Sequence, residues 1–525
     1  MAQYTEKSGK VVFKEYDQRQ IQLLPPSLEE LIPEHHLVRV INSVVDGLEF
    51  RNLERVYRGG GTSSYHPKMM LKVLIYAYST KVYSCRQIAA SLEKDIHFMW
   101  LSAMQRPSFR TINNFRSCVM KDLIEEIFGH VLEFLMDQGY VKLENYFVDG
   151  TKLRADANKY SHVWASNTRR YKGLVQERVK RLFQEIDQLN EQEDVEYGEQ
   201  NLEEYGQQSQ LTSADLMEKA EQINAHIEQL QQQEQLTPQQ TRKRKSHVRH
   251  LKKEAEKLTH YENQEQVLQE RKSFSKTDPD ATFMRMKDDQ LLPAYNILMG
   301  TENQFIVNYT LHQTAGETNE FVTHLTQLSR FTGQIPKNAI GDAAYGSQEN
   351  YDHLQTNGIG NYLKYSGIYM EKTKRHRANR FHMDNLPYDA DKDQFICPNN
   401  QPIEFQMETT KKSKSGYRSQ IRVYECKHCS DCPLAGQCKS GKGNRQIKFS
   451  PAFDAYKIQV KANLSSETGR KLRSQRSVDV ETPFGDIKHN MGYQRFRLRG
   501  LKKVEIEWGL VSIAHNLRKI GKRVA

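Results

Sequence analysis

Apolar positions follow three patterns along the chain, and each predicts a different kind of element. Over residues 1–140 they recur at helical spacing. Ser27-Leu-Glu-Glu30 is a capping box, with Ser27 placed to accept the N3 amide and Glu30 to reach back. His66-Pro67 leads into Met69-Met70-Leu71 and Val73-Leu74-Ile75-Tyr76, a helix with an extensively apolar surface. A turn region at 84–92 and a further segment at 107–116 give the outline of a helix-turn-helix variant, with Ser108 capping its second helix. Arg110, Asn113, Asn114 and Arg116 would then face DNA. A plain helical bundle with surface arginines is the competing reading.

The second pattern spans about 167–272. Val175, Val179, Leu182, Ile186 and Leu189 alternate spacings of four and three; Leu216, Ala220, Ile223, Ile227 and Leu230 repeat them; Val248, Leu251, Ala255 and Leu258 begin a third copy. Such spacing makes a narrow apolar seam on a helix. Gly198, Gly206 and Thr237-Pro238 interrupt it. The expectation is a helical hairpin or small antiparallel coiled coil inserted into another domain, serving scaffolding or self-association.

The third pattern is short apolar runs. Tyr146-Phe147-Val148 reads as a buried strand ending at Asp149, and Ala339-Ile340-Gly341 as another ending at Asp342. The β-rich run 304–311 and the segment 361–365 add further strands. Strands mixed with helices around both aspartates predict an α/β core split by insertions.

Charge and composition sharpen this outline. Lys+Arg exceed Asp+Glu by 76 − 65 = 11, and the pI is near 9.0, which favours a polyanionic partner. The excess is clustered: Arg495-Phe-Arg-Leu-Arg-Gly-Leu-Lys-Lys503 places Arg495, Arg497, Arg499, Lys502 and Lys503 in one run able to hold phosphates. No apolar stretch approaches the roughly 20 residues of a membrane helix. The opening Met-Ala-Gln-Tyr-Thr-Glu lacks the order of a signal peptide, so a soluble, cytoplasmic protein is expected.

Two sets of residues carry candidate chemistry. Glu481 opens an expected helix 481–488, which tolerates Pro483 only if it starts close to Glu481. Lys488 lies two turns on, on the same face. Two strand-end aspartates and a helix-borne glutamate make an oxygen ligand set for Mg²⁺, and two such ions suit phosphodiester cleavage. Taken singly, Asp149 reads as an Asp-Gly turn residue, Glu481 and Lys488 as a solvated helix pair, and Asp156 as a rival ligand. Five of seven cysteines lie between 397 and 438, while Cys85 and Cys118 read as ordinary buried residues. Tetrahedral zinc needs four ligands; Cys397, Cys429, Cys432 and Cys438 are favoured, with Cys426 as alternate. Redox pairing is the other reading, opposed by a reducing compartment.

At this point the chain resembles the bacterial insertion-sequence transposases of the DDE (Asp-Asp-Glu) type over most of its length. The resemblance rests on His66-Pro-x-x-x-Leu-Lys-Val-Leu-Ile-Tyr-Ala-Tyr78, Phe98-Met-Trp-Leu101, Arg110-Thr-Ile-Asn-Asn-Phe-Arg116 and Val148-Asp-Gly-Thr151. It continues in Thr277-Asp-Pro-Asp-Ala-Thr-Phe-Met284, Gly341-Asp-x-x-Tyr-Gly-Ser347, the cysteine cluster and Val480-Glu-x-x-Phe-Gly-x-Ile-Lys488. It implies an RNase H-like catalytic core, two Mg²⁺ ions (or Mn²⁺), strand cleavage and transfer on double-stranded DNA, and a homodimer on paired ends. Asp149, Asp342 and Glu481 match the triad, and Lys488 the Glu-x6-Lys spacing. One departure stands out: the related signature has arginine four residues before the glutamate, where this chain has Ser477, with Arg476 adjacent. The expected organisation is a helical DNA-binding domain at 1–140, a catalytic domain at 141–166, 273–390 and 445–525, a helical insertion at 167–272, and a zinc module at 391–444. Rival functions are an inactivated relative that only binds DNA, and a metal-dependent nuclease that never rejoins.

Overall fold

The computed structural model describes residues 27–48, 64–197, 211–233 and 236–524. Its central sheet is organised by the strand Asn145–Arg154, in which Tyr146, Phe147 and Val148 are fully buried, as a strand covered on both faces requires. This strand pairs antiparallel with Leu291–Glu302 and parallel with Asn338–Gly341, which pairs parallel with Gly360–Leu363. Phe305–His312 and Thr282–Arg285 both pair antiparallel with Leu291–Glu302. The parallel register ends at Phe147↔Ile340, and beyond Val148 this edge of the first strand has no strand partner until Arg154, which Arg495 bridges. Asp342 follows its strand as expected, whereas Asp149, expected at a strand end, lies inside a strand that continues to Arg154, because antiparallel pairing with Leu291–Glu302 carries it on.

A buried carboxylate fixes where the first strand begins. Glu302 accepts four consecutive backbone N–H groups, from Lys142, Leu143, Glu144 and Asn145, at 2.7 to 3.1 Å. Four donors on one carboxylate satisfy amides that would otherwise be stranded between helix and strand.

The helix Leu501–Val524 lies between the Phe305–His312 strand and the helix Pro67–Ser79. Trp508, Val511 and Ile513 on it are fully buried. Its Glu507 accepts the Arg497 and Leu498 amides at 2.7 and 2.8 Å, and the Tyr78 hydroxyl at 3.2 Å. One hydrophobic core therefore runs through the N-terminal helices, the sheet and this helix. The helices of residues 27–140 share that core with the sheet.

The insertion differs from the expected hairpin by one helix. Ala165–Tyr197, Ser213–Gln232 and Pro238–Leu268 pack around a core of their own that includes Val175, Val179, Ile186, Leu216, Ile227, Leu251 and Leu258. Each seam covers the others. Thr237-Pro238, expected as an interruption, is a helix start, with Thr237 in a capping box and proline at the first turn. Gly198 and Gly206 lie outside the described residues. A two-stranded ribbon, His162–Trp164 with Ser273–Ser275, ties the entry of the insertion to its exit.

A five-stranded antiparallel sheet holds the cysteine region, in the order Arg445–Phe449, Arg418–Cys426, Pro402–Lys412, Gln394–Ile396, Tyr388–Asp389. Cys85 is buried as expected. Cys118 is exposed, because it follows the helix Phe109–Ser117 as its C-cap instead of lying on the inward face.

Candidate active site

Asp149 lies within the first strand, opposite Met299, just past the end of the parallel pairing. Its Oδ1 accepts the Gly150 amide at 2.9 Å, and its Oδ2 lies 3.1 Å from the Arg476 guanidinium. Burial pushes this carboxyl up from its ordinary range; Arg476 opposes the shift and nearby Asp342 adds to it. Asp342 follows the Asn338–Gly341 strand, and its Oδ1 accepts the Ala344 amide at 2.8 Å, opening a tight turn over Ala343–Tyr345. Ser347 caps the next helix by accepting the Asn350 amide at 3.2 Å. Between them Gly346 passes so close to the neighbouring strand end that a Cβ would stand 2.3 Å from the Lys364 carbonyl oxygen.

Glu481 does not open a helix. The helix starts at Glu467, capped by Ser466, and continues to Asn490 through two π-helical turns, Ser477–Glu481 and Asp486–Asn490. The first π turn explains how Pro483 sits inside it. A proline removes one backbone donor and crowds the preceding turn, and a wider turn relieves both. The same turn resolves the displaced arginine. In an α-helix, residues twelve apart stand about 120° apart around the axis; a π turn absorbs one extra residue and brings them to within about 20°. Arg476 and Lys488 are such a pair, and both reach the first strand: Arg476 at Asp149, Lys488 donating to the Thr151 hydroxyl. Burial pushes the Lys488 amine down to about 8; Lys287 acts in the same sense and Asp149 against it.

Glu481 itself is exposed, and its side chain makes no hydrogen bond or ion pair among the described residues. The π turn that ends on it packs against the first strand and against Leu291–Glu302. Two further carboxylates pin this irregular helix. Asp479 accepts the Gln304 amide at 2.6 Å, and Asp486 lies 3.0 Å from His515 Nδ1 on the last helix. His515 holds the Asp486 carboxyl well below its usual range.

Sequence reasoning missed Glu317. It lies in the segment before the helix Phe321–Thr332, and its Oε2 accepts the Tyr345 hydroxyl at 2.7 Å. Its carboxylate rests on Gly150, where a Cβ would stand 2.1 Å from Oε1. Burial pushes the Glu317 carboxyl up, and both Asp149 and Asp342 push the same way, while the Tyr345 bond opposes. An acidic residue in an irregular loop carries no periodic signal, so nothing in the sequence marked it. A cleft of about 540 Å³ opens here, lined by Gly150, Thr151, Glu317 and Lys488, with Lys152, Arg285 and Lys287 bringing positive charge. Its wall carries the carboxylates of Glu317 and Asp288 but not those of Asp149, Asp342 or Glu481, and its cluster of cations suits a phosphate backbone.

The expected DNA-facing groups divide. Arg110, Asn113 and Asn114 are exposed on the helix Phe109–Ser117, with Arg110 and Arg86 both against the Phe109 ring. Arg116 is placed otherwise: it is 5 % exposed and donates to the Tyr78 hydroxyl and the Tyr83 carbonyl at 3.2 and 2.9 Å. Its charge is used inside the core beside Glu507, so it is not presented to DNA. In the C-terminal run all five basic residues are exposed, but Arg495 and Arg499 both pair with Asp156, at 2.5 and 3.0 Å. Asp156 is thus a partner for arginine here. Asp278 and Asp280 anchor the run by accepting the Gly500 and Leu501 amides at 3.1 and 2.8 Å.

The five clustered cysteines converge. Cys397, Cys426, Cys429, Cys432 and Cys438 all line one small cavity of about 20 Å³. Cys397 Sγ accepts the amides of Asn399 and Gln401, both at 3.3 Å, and Cys429 Sγ accepts that of Arg445 at 3.4 Å. Cys426, expected as the spare, is as much a part of the cavity as the rest; burial pushes its thiol up to about 12. Among the described residues, His376, His382 and Asp384 form a group of three with ligand atoms within 4.8 Å of one another. Asp149, Asp342 and Glu481 are not drawn together that tightly.

Two family models match the chain: "Transposase DDE domain" over residues 396–521, and "Transposase domain (DUF772)" over residues 26–118. The first takes in the cysteines, Glu481 and Lys488; the second takes in the N-terminal helices. Asp149 and Asp342 fall between the matched segments, so their assignment rests on geometry. No curated protein matches the chain. Among the described residues, no helix is long and apolar enough to cross a membrane.

Proposed function

We propose that the chain is an insertion-sequence transposase of the DDE type, as the transposase-domain matches over residues 26–118 and 396–521 support, and that it cleaves DNA at the ends of its own element and joins them to a target. The observation that carries this reading is the meeting of four groups from distant parts of the chain. Asp149 lies inside the first strand just past its parallel pairing with the strand that Asp342 follows, and Arg476 and Lys488 reach the first strand from one helix. We read the sheet as an RNase H-like core.

In this reading Asp149, Asp342 and Glu481 hold divalent metal. The donor set suits Mg²⁺ or Mn²⁺, being oxygen alone, with half-buried Asp149 paired to Arg476 and pushed up by nearby Asp342. Bound there, two ions lower the pKa of the attacking oxygen and neutralise charge on the leaving oxygen. The protein's own groups do the rest. Arg476 and Lys488 hold non-bridging phosphate oxygens, with Arg476 exchanging its Asp149 partner for phosphate when metal takes that carboxylate. Lys152, Arg285 and Lys287 guide the backbone into the cleft, and the exposed Arg497, Lys502 and Lys503, with Arg110, Asn113 and Asn114, hold flanking DNA. Water attacks the end phosphodiester first; the freed 3′-OH then attacks the target strand. A homodimer on paired ends is the expected assembly. Four of the five cavity cysteines hold structural Zn²⁺, with Cys397, Cys429, Cys432 and Cys438 the favoured set and Cys426 the alternate.

The test pairs purified protein with DNA carrying the ends that flank its gene, in Mg²⁺ or EDTA, beside Asp149→Asn and Asp342→Asn. Joined products that need metal and vanish in both variants support the reading. Nicks without joining would make it a nuclease. Binding without cleavage would make it a DNA-binding relative. Cleavage surviving both substitutions would overturn the carboxylate assignment.

A further inference from the structure

A second cationic pocket lies past Asp342 in the sheet, at the strand farthest from Thr282–Arg285. It is a cavity of about 290 Å³ whose lining carries Lys364, Lys372, Lys461 and Arg473 against one acid, Glu371. That acid is already used: it lies 2.8 Å from Lys461 and accepts the Tyr365 hydroxyl at 2.9 Å. Lys364, Lys372 and Arg473 have no ion pair among the described residues. Arg473 Nε is also buried without a hydrogen-bond partner, a donor of the kind folded proteins rarely leave open. The three cations act on one point, the exposed Tyr369. A hydrogen bond from Lys364 draws its phenol below the ordinary range; burial opposes, and Arg473 and Lys372 act with Lys364. Like charges gathered in this way repel one another, a cost that a bound anion removes.

The cavity is tied to the candidate site at two points. Lys364 directly follows the strand Gly360–Leu363, and its amide donates to the carbonyl of Gly341, the residue before Asp342, at 3.3 Å. Arg473 lies three residues before Arg476 in the helix Glu467–Arg476, so it shares a face with the arginine that meets Asp149. Two strand spacings of about 4.8 Å separate Gly360–Leu363 from Asn145–Arg154, roughly 10 Å, or the rise of three base pairs.

We propose that this cavity is a phosphate subsite of the DNA-binding surface, in which Lys364, Lys372 and Arg473 hold one backbone phosphate a few nucleotides from the phosphodiester at Asp149 and Asp342. This rests on the reading of the protein as a transposase. The DNA then crosses the end of the sheet with cations on both sides of the aspartates: Lys152, Arg285 and Lys488 in the cleft, and this trio past Asp342. The forked donors of Arg473 suit a pair of phosphate oxygens, which a lysine alone would not orient.

The experiment is binding of the full chain, in EDTA, to a fluorescent duplex carrying the element's end, followed by anisotropy over a series of salt concentrations. Wild type is compared with two double variants, Lys372→Gln with Arg473→Gln and Lys364→Gln with Lys372→Gln. The control, Lys392→Gln with Lys442→Gln, removes two exposed lysines outside the cavity, and melting temperatures report folding. Loss of one phosphate contact should lower the slope of log affinity against log salt by about 1, and affinity near 0.1 M salt roughly tenfold. Both cavity variants should show this and the control should not. Wild-type affinity and slope in the cavity variants, or an equal loss in the control, overturns the subsite and leaves the proposed function standing. Should Arg473→Gln fail to fold, Lys364→Gln with Lys372→Gln decides: wild-type affinity and slope there overturn the proposal. Inorganic phosphate that raises the melting temperature of wild type alone, with duplex binding equal in all variants, would make the cavity a site for a small anion and overturn it likewise. Wild type that binds no duplex overturns the proposed function itself.

Discussion

Two helices flank the basic run of the C-terminal region, and they are built on opposite principles. Leu501–Val524 is regular, its Trp508, Val511 and Ile513 fully buried, and it serves the common core. Glu467–Asn490 is broken by two π turns, contains a proline, and spends its side chains on ionic contacts: Arg476 with Asp149, Asp479 with a hairpin amide, Asp486 with His515. Regular geometry maximises backbone bonding and packing. Irregular geometry aims particular side chains, and is kept only where neighbours over-determine it. The helix that departs from the ideal is the one facing the site.

Substitutions can separate these two roles. The largest expected effect is on chemistry alone: Asp149→Asn should lower end cleavage by on the order of 10⁴-fold, with a melting temperature close to wild type. Cleavage within tenfold of wild type would refute it. Trp508→Ala should do the reverse, costing about 3–5 kcal/mol in denaturant unfolding, with cleavage normal wherever the protein remains folded. Inserting one alanine after Ser477, an extra residue beyond the one the π turn absorbs, should rotate Lys488 by about 100° away from Thr151 relative to Arg476. Cleavage should fall on the order of 10²-fold, as misplacement of about 1 Å does, with little change in helix content by circular dichroism. Equal activity would mean that the π turn aims nothing.

The smallest effect concerns the tie between the two helices. Asp486→Asn should cost about 1.5 kcal/mol near neutral pH, the scale of a hydrogen bond to a charged group. The wild-type carboxyl is depressed below its ordinary 3.8. Its contribution is therefore fully present above the unfolded value of about 3.8 and is lost as pH falls below it, toward the folded value. The difference between wild type and variant should shrink as unfolding is followed from pH 5 down to pH 2. A constant difference would show that the carboxylate charge is not what joins the helices.

How much of this was legible in the sequence depends on the kind of signal. The strands carrying or preceding Asp149 and Asp342 were readable from their short apolar runs, but the end of the first was not, since antiparallel pairing continues it to Arg154. The seams of the insertion were readable at 3.5-residue spacing, yet counting them as a hairpin missed that a third seam needs a third helix. The π turns left no trace, since one extra residue per turn looks like imperfect periodicity. Arg116 was misread because an arginine on a helix carries the same letter inside or out. Its partners, the Tyr78 hydroxyl and the Tyr83 carbonyl, are set by tertiary packing. Glu317 was invisible for a related reason: its meaning comes from Gly150 and Tyr345, one far before it in the chain and one after.

The shared core also sets an order of events during synthesis. The N-terminal helices and the central sheet emerge first, but the apolar surfaces that Leu501–Val524 covers stay bare until those residues have been made. A chain halted before Leu501 would carry Asp149 and Asp342 on an unfinished core, a species prone to aggregation and open to proteases. The helix Leu501–Val524 thus acts as the seal of the shared core.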